Sequence, residues 1–339
     1  MNFNQFKTGP DDLNRRLDKV VRMFDENMSL AEIYKGIRKG LIRINNKKTK
    51  AEYRIQENDV IFIADFLLKN EEKQQDLPKP YSNYDKMPEI VFENEHILII
   101  NKPYNVNVHG DETSLDKIVE SYYNRKNLKS SLSFRPGPLH RLDKKTTGLL
   151  AFSMSLEGAR WFSENIKNHK IQKKYYGLVE GSISEKQQWH DIISNNENTN
   201  KSGFHKVSAK IIADKNEKEI KNPLKKDSPQ KDKIAETTVT PIEQGFYNGK
   251  NLTLVEFHIK TGRKHQIRAQ SALHNHPLAG DTAYGGKKLP FGTQDFYLTA
   301  RELIIPKENP IGLPEKLKVM LPKDFIDVLK RCGIKKIGV

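Results

Sequence analysis

The chain has 339 residues, with 58 Lys and Arg against 43 Asp and Glu and a formal net charge of +15. This length is enough for two domains with a sizeable core, and the positive charge favours a polyanionic partner because each neutralised phosphate releases counterions. A single cysteine, Cys332, excludes an internal disulfide and a Cys-rich zinc site. The first residues lack the apolar core of a signal peptide, and the longest apolar stretch, residues 60–68, is interrupted by Asp65 and is too short to cross a bilayer. We therefore expect a cytoplasmic protein that does not enter a membrane.

The N-terminal segment predicts a basic helix. Apolar residues recur at helical spacing from residue 13 to residue 24, and Asp11 or Asp12 is expected to cap the start of the helix. Arg15 and Arg16 lie on other faces of the same helix. These two arginines are therefore candidates for contacts with a polyanion.

A second helix and two strands follow. Ser29 and Glu32 are spaced as a capping box that opens a helix, and Gly40 suits the C-terminal end of that helix. Residues 41–44 and 60–63 are rich in Ile and other apolar side chains, which predicts two strands.

These elements resemble the S4 RNA-binding domain over residues 13–63. The resemblance depends on the two short helices, the turn RKGLIRINNK and the closing strand ENDVIFI. It implies RNA binding by basic side chains of the two helices: Arg15, Arg16, Arg38 and Lys39. The alternative is a solvated charged face on an ordinary helical hairpin.

A linker and a larger domain are predicted after this segment. Residues 64–88 are mostly polar and contain three prolines, which is typical of a linker. Residues 89–325 form the predicted larger domain, whose first buried strand, residues 96–100, leads into Asn-Lys-Pro. A polar insertion from about residue 182 to residue 233 has too few apolar side chains to offset the entropy of ordering, so we predict a mobile surface loop there.

Two strings in the larger domain carry the strongest functional signal. HRLDKKTTGLL at residues 140–150 and GRKHQIR at residues 262–268 resemble the signature motifs HRLDxxTSGLLL and GRTHQIRVH of RNA pseudouridine synthases of the large-ribosomal-subunit type. The resemblance implies that Asp143 is the catalytic carboxylate and that Arg268 pairs with it and keeps it ionised. It also implies that Arg141 fills the space left by a flipped base.

Two further strings occur in the order of the same family. KKYYGLVEG at residues 173–181 resembles KxYxALVxG, which implies an active-site tyrosine at Tyr175 rather than at its neighbour Tyr176. PLAGDTAYGG at residues 277–286 resembles PIxGDxxYG, and its glycines predict turns, so we expect this string to be architectural. The remaining candidates for contacts with RNA in this domain are Arg141, His140, Lys173, Arg263 and His265.

The chain departs from the family pattern at a few positions. Lys264 and Gln270 stand where the second signature usually has Thr and His, and Thr147 stands where the first usually has Ser. None of these changes removes a proposed catalytic group. They bear on the contacts with RNA and on the choice of substrate.

The resemblance implies an α+β catalytic domain with a mixed, mostly antiparallel sheet and a small N-terminal α/β S4 domain. The expected reaction is isomerisation of specific uridines, with 23S ribosomal RNA as the expected substrate and partner, in a monomeric enzyme. No metal and no other cofactor is expected, because substrate and product are isomers. The alternatives are a non-catalytic RNA-binding factor of ribosome assembly with the same fold, and an RNA hydrolase, for which the sequence shows no set of groups that would activate water.

Overall fold

The N-terminal part of the protein is a small α/β unit. The structure is a computed structural model that describes residues 1–25, 27–68, 87–126, 131–194, 208–211 and 232–336. The elements of the unit are β1 (Phe3–Lys7), α1 (Leu17–Phe24), α2 (Leu30–Lys39), β2 (Ile42–Ile44) and β3 (Val60–Ala64). Among the described residues the strands form an antiparallel sheet in the order β1-β3-β2, and the apolar side chains of both helices belong to the same core as those of the sheet.

The second helix of this unit is confirmed together with its ends. The backbone N–H of Glu32 donates to the Ser29 hydroxyl (3.3 Å), and the backbone N–H of Ser29 donates to the Glu32 carboxylate (2.8 Å), which completes the capping box. Gly40 ends the helix at a φ of +71°, a conformation that glycine adopts without strain. The two strands predicted at residues 41–44 and 60–63 are β2 and β3.

The start of α1 differs from the prediction. The helix begins at Leu17 with Arg16 as its N-cap, and Pro10–Asp12 form a separate turn of 3₁₀ helix. Asp11 and Asp12 do not cap α1, because the larger domain engages their carboxylates instead.

These two aspartates attach the N-terminal unit to the larger domain. Asp12 is fully buried and accepts hydrogen bonds from the backbone N–H groups of Leu132 (2.8 Å) and Ser133 (3.0 Å). Asp11 accepts one from the N–H of Leu156 (2.8 Å). Because a buried N–H without an acceptor is costly, these bonds favour one position of the unit on the larger domain.

The larger domain is built on one mixed sheet with helices packed on it. Its elements are β4 (Ile90–Glu93), β5 (Ile97–Lys102), α3 (Leu115–Arg125), β6 (Gly137–Pro138), β7 (Thr147–Ser153), α4 (Leu156–Lys167), β8 (Gln172–Glu180), β9 (Gln187–Ser194), β10 (Ser208–Ile211), β11 (Asp232–Tyr247), β12 (Lys250–Ile259), α5 (Gln266–Leu273), β13 (Leu298–Ile304), β14 (Lys316–Lys318) and α6 (Lys323–Arg331).

In the described part of the chain this sheet has eleven strands. Its main path is β10-β9-β11-β12-β8-β13-β7-β5-β4, with β14 paired to β13 and β6 paired to β7. Within the described ranges, neighbouring strands are antiparallel except β7 and β13, which run parallel. The predicted α+β fold with a mostly antiparallel sheet is confirmed.

Gly148 allows β7 and β13 to lie close together. Its φ is +104°, and a Cβ atom built on it would lie 2.3 Å from the carbonyl oxygen of Ala300. A side chain at this position would therefore force the two strands apart. The close pairing brings the loop that precedes β7, which carries Asp143, beside the start of β13.

The predicted surface loop at residues 182–233 is wrong for two segments. Gln187–Ser194 form β9 and Ser208–Ile211 form β10, and β9 pairs with the first half of β11. Trp189, Asp191 and Ile193 of β9 are buried at alternate positions, so the strand contributes to the core although most of its residues are polar. Residues 195–207 and 212–231 of the insertion lie outside the described residues.

The predicted linker lies largely outside the described residues as well. Of residues 64–88, the structure describes 64–68 and 87–88. Ala64 ends β3, and Asp65–Leu67 form a turn of 3₁₀ helix.

Candidate active site

A cleft of about 480 Å³ lies where the loop before β7, the start of β8 and the start of α5 meet. Asp143, Tyr175 and Arg268 all line this cleft, although they come from three strings that lie far apart in the sequence. Leu298 of β13 lies in the wall between them. The structure thus brings together the three residues predicted to carry the chemistry.

The loop that carries Asp143 is held by its own backbone and by buried Lys102. The N–H of Thr146 donates to the carbonyl oxygen of Asp143 (3.0 Å), which closes a turn. Lys102, fully buried at the end of β5, donates from Nζ to the carbonyl oxygens of Lys144 (2.7 Å) and Pro103 (2.9 Å). The side chain of Asp143 is 17% exposed, so its carboxylate is accessible from the cleft.

Arg268 faces Asp143 but is bound most tightly by another carboxylate. Its Nε and Nη2 donate to the two carboxylate oxygens of Asp281 at 2.7 and 2.8 Å. Its Nη1 lies 3.8 Å from Oδ2 of Asp143. The rings of Tyr284 and Phe296 lie 4.8 and 4.5 Å from the guanidinium carbon. Asp281 and the two rings therefore fix the guanidinium plane, which presents one nitrogen to Asp143.

His265 is a neutral neighbour of Asp143. It adopts a φ of +53° at the start of α5, and its Nδ1 lies 2.9 Å from the hydroxyl of Tyr284. Its Nε2 lies 3.8 Å from Oδ1 of Asp143. Burial lowers the pKa of His265 to about 4, so the imidazole is uncharged at pH 7. Arg268 and His265 both face Asp143, and of these two side chains Arg268 is the charged one.

The two neighbouring tyrosines of β8 point to opposite faces of the sheet. Tyr175 lines the cleft and is 5% exposed. Burial, together with the charge of Asp143, raises the pKa of Tyr175, so its side chain is a neutral phenol at pH 7. Tyr176 is half-buried on the other face, where its ring lies 5.8 Å from the guanidinium carbon of Arg301. Because successive side chains of a strand point to opposite faces, Tyr175 faces the cleft and Tyr176 does not.

Known families match both parts of the chain. A model of the RNA pseudouridylate synthase family matches residues 96–273, and a model of the S4 domain matches residues 15–61. The chain belongs to the RNA pseudouridylate synthase family. The family membership predicted from the four strings is confirmed. The isomerase class that it implies is confirmed as well.

Individual relatives agree with this assignment. The ribosomal large subunit pseudouridine synthase C of Buchnera aphidicola subsp. Schizaphis graminum is 29% identical over 280 residues, which cover 82% of this chain and 80% of that protein. The protein of the same name from Escherichia coli O157:H7 is 27% identical over 329 residues, or 95% of this chain and 93% of that one. The solved structure of human RNA pseudouridylate synthase domain containing 4 is similar in fold, with a TM-score of 0.51 at 20% identity, over 73% of this chain and 94% of that one.

The predicted RNA contacts of the synthase domain occupy different places around the cleft. Arg141 is exposed at its edge, whereas Lys173 is buried in its wall. His140 also lines the cleft and stacks on Phe162, with 6.3 Å between the ring centroids. Arg263 lines the cleft but donates from Nε to the carbonyl oxygen of Ile234 (2.9 Å), so part of its hydrogen-bonding capacity is used within the protein.

The four predicted contacts in the N-terminal unit separate into two pairs. Arg15 donates to the carbonyl oxygen of Ser133 (3.0 Å), and Arg16 forms an ion pair with Asp18 (2.9 Å). Arg38 and Lys39, in contrast, are exposed at the end of α2. A basic groove adjoins them, and its Lys and Arg side chains are Lys35, Arg38, Lys48 and Lys50.

The back of α5 is held by buried polar groups, and Gln270 is central among them. Its Nε2 donates to Oδ2 of Asp191 in β9 (2.6 Å), and its Oε1 accepts from the hydroxyl of Thr237 in β11 (2.6 Å). His274 lies 3.0 Å from the same carboxylate oxygen of Asp191. The Gln that departs from the family pattern therefore ties the helix of Arg268 to β9 and β11.

Three residues of the site were not identified from the sequence. Lys102 lies in the Asn-Lys-Pro string, and Asp281 and Tyr284 lie in PLAGDTAYGG, both of which match the family. The expectation that PLAGDTAYGG is only architectural is wrong, because Asp281 holds Arg268 and Tyr284 contacts both Arg268 and His265. The match to the family was the available signal, since spacing in the sequence does not show which carboxylate an arginine meets.

Within the ranges given above, no group of three or more His, Cys, Asp and Glu side chains is placed to hold a metal ion. None of the described helices is long and apolar enough to span a membrane.

Lys102 gives the synthase a pH dependence of stability that can be measured. Burial lowers the pKa of Lys102 from 10.5 to about 7 in the folded protein. Between pH 7 and pH 10.5 the unfolded chain holds a proton on Lys102 that the folded protein has released. The free energy of unfolding therefore falls as the pH falls from 10.5 to 7. The slope is up to about 1.4 kcal/mol per pH unit. We therefore expect the free energy of unfolding of wild type, relative to Lys102→Met, to rise between pH 7 and pH 10 in urea titrations.

The exposed Lys170 provides the control for this measurement. Lys170→Met is expected to follow the pH dependence of wild type. Parallel curves for wild type and Lys102→Met would contradict the lowered pKa.

Proposed function

We propose that this synthase converts specific uridines of large-subunit (23S) ribosomal RNA to pseudouridine, with Asp143 as the catalytic carboxylate. The observation that carries the proposal is the meeting of Asp143, Tyr175 and Arg268 in one cleft. The names of the curated relatives support ribosomal RNA as the substrate. The net charge of +15 and the S4 domain support an RNA partner.

The reaction rearranges one nucleotide without oxidation or reduction. The bond between N1 of the uracil and C1′ of the ribose breaks, the ring turns, and C5 joins C1′. C5 loses its hydrogen and N1 gains one, so that substrate and product are isomers. The residues of the cleft have to supply a nucleophile, a route for one proton and a surface that holds the free ring, and we propose that no cofactor takes part.

Asp143 supplies the reacting carboxylate in this proposal. A carboxylate can attack C1′ of the ribose or a carbon of the uracil ring, and both routes require an ionised group that touches the reacting atoms. Arg268, with Nη1 3.8 Å from Oδ2 of Asp143, supplies a positive charge that faces the carboxylate. Its bidentate bond with Asp281 keeps that charge in place while the substrate enters.

Tyr175 holds the uracil ring. An aromatic side chain in the wall of the cleft offers a flat surface on which a base can stack. Because its hydroxyl is neutral at pH 7, it is suited to donate a hydrogen bond, and it can take up the C5 proton only by passing its own proton to a neighbour such as Asp143.

The target uridine has to leave its helix to reach this cleft. The glycosidic bond and C5 cannot both be reached within a stack of bases, so the nucleotide is flipped out. Arg141 is exposed at the edge of the cleft, and we propose that it fills the gap that the base leaves. Arg38 and Lys39 lie beside the basic groove of the N-terminal unit, and we propose that they hold a neighbouring part of the RNA backbone.

We further propose the organisation in which the synthase works. The S4 domain spans residues 13–63, the linker residues 64–88 and the catalytic domain residues 89–325. The protein acts as a monomer in the cytoplasm.

Asp143→Asn tests the reaction directly. The substitution preserves size and polarity but removes the negative charge, so we expect isomerisation to slow by about 10³-fold or more while RNA binding stays near that of wild type. Unmodified large-subunit ribosomal RNA is treated with the pure protein, and pseudouridine is mapped by carbodiimide labelling. The control is Asp327→Asn, an exposed position on α6. RNA binding by wild type without any pseudouridine would favour the non-catalytic assembly factor instead.

Tyr175→Phe and Tyr176→Phe form a matched pair that tests the register of β8. The first removes the hydroxyl in the cleft but keeps the ring, so we expect binding to persist and the single-turnover rate to fall by about 10²-fold. The second acts on the opposite face and should leave the rate within a few-fold of wild type. A rate loss confined to Tyr176→Phe would show that the assigned register is wrong.

A further inference from the structure

Lys173 is a buried cation in the wall of the cleft. It lies two residues before Tyr175 on β8, so both side chains project from the same face of the strand. Lys173 is 9% exposed, and among the described residues its ammonium group has no hydrogen-bond acceptor and no ion-pair partner. Burying an ammonium group without a partner is costly, so this position is unfavourable for folding alone.

The ammonium group of Lys173 lies beside the backbone at Gly262. A Cβ atom built on Gly262 would be 3.6 Å from Nζ of Lys173. Gly262 opens the string GRKHQIR and is itself exposed. The ammonium group therefore borders the loop that leads into α5.

His140 presents a second buried donor. Its Nε2 accepts a hydrogen bond from the backbone N–H of Ala151 (3.1 Å). Burial and the nearby charge of Lys173 lower the pKa of His140 to about 3, so the ring is neutral and Nδ1 carries the hydrogen. Within the described residues this buried Nδ1 makes no hydrogen bond of good geometry, and the backbone of Arg141 is its polar neighbour.

The charge of the cleft determines which ligand suits these two donors. Among the described side chains that line the cleft, Asp143 is the one carboxylate. The Lys and Arg side chains of the lining are Arg141, Lys167, Lys173, Lys260, Arg263 and Arg268. A ligand at Lys173 and His140 has to accept hydrogen bonds and carry negative charge, which a phosphodiester does.

We propose that Lys173 and His140 form a preformed site for one phosphate of the RNA backbone, next to the uridine held by Asp143 and Tyr175. The proposal rests on the proposed function for the identity of that uridine. Residues two apart on a strand have Cα atoms about 7 Å apart, so the phosphate belongs to the target nucleotide or to an immediate neighbour. The bound phosphate would fix the position of the flipped nucleotide in the cleft.

Lys173→Met without RNA distinguishes this role from a structural one. The substitution removes an unpaired buried charge and keeps most of the apolar volume, so we expect a midpoint of thermal unfolding equal to or above that of wild type. Lys170→Met is the control at an exposed position. A clearly lower midpoint for Lys173→Met alone would show that Lys173 supports the fold, and would overturn the proposal.

A thermodynamic cycle with modified RNA tests the phosphate itself. The probe is a fragment of large-subunit ribosomal RNA that wild type binds, in which one linkage at a time carries a neutral methylphosphonate. The adjacent 2′-hydroxyl is methylated for chemical stability, and the same RNA with an ordinary phosphate is the reference. Dissociation constants are measured for wild type, Lys173→Met and Lys170→Met.

One linkage beside the target uridine is expected to behave differently from the others. There the methylphosphonate should weaken binding by wild type about tenfold to a hundredfold and have little further effect on Lys173→Met. The slope of log affinity against log salt should also be smaller by about 0.7–0.9 for Lys173→Met. Equal effects of the methylphosphonate in both proteins at every linkage would overturn the proposal.

The readout separates this proposal from the proposed function. Binding is measured without turnover. If the RNA binds but is never isomerised, the proposed function is contradicted, and the binding data still show whether Lys173 contacts a phosphate. Normal isomerisation by wild type together with additive effects at every linkage would reject the phosphate site alone.

Discussion

The bond between Arg268 and Asp281 is the interaction on which the site depends. Both side chains are buried, at 5% and 2% exposure, so each charge needs the other. The bidentate geometry uses Nε and Nη2 and leaves Nη1 directed at Asp143. Two further hydrogen bonds maintain this arrangement: Gln270 joins α5 to Asp191 of β9, and Lys102 holds the loop that carries Asp143.

In the proposed reaction, the groups that react and the groups that position the RNA occupy different parts of the cleft. Asp143, with its partly exposed carboxylate, faces Arg268 and the neutral His265, while Tyr175 offers a flat neutral ring. Lys173 is buried and has no partner in the part of the chain that the structure describes, which is unfavourable for folding, and the proposed phosphate would compensate for it. Sites that bind and react commonly contain such locally unfavourable groups, and the rest of the fold compensates for them.

The sequence predicted what local patterns and the family motifs determine. The capping box of α2, the strands β2 and β3 and the mostly antiparallel fold follow from spacing and from the matched strings. It could not predict contacts that depend on the packing of distant segments. Asp11 and Asp12 looked like caps, but the larger domain provides stronger partners for them. Strand β9 is mostly polar, so its sequence was interpreted as a loop. It is a strand because it pairs with β11, which is distant in the sequence. Asp281 looked like part of a turn until the structure placed Arg268 beside it.

The most direct test of the proposed site is the rate of single-turnover isomerisation by the double variant Arg268→Met/Asp281→Asn. Removing both charges avoids leaving one of them buried alone, so the fold should survive, as thermal unfolding can verify. Without the guanidinium, the carboxylate of Asp143 loses the cation that faces it at 3.8 Å. We expect a clearly lower single-turnover rate than in wild type, with RNA binding retained. A folded double variant with the rate of wild type would contradict this expectation.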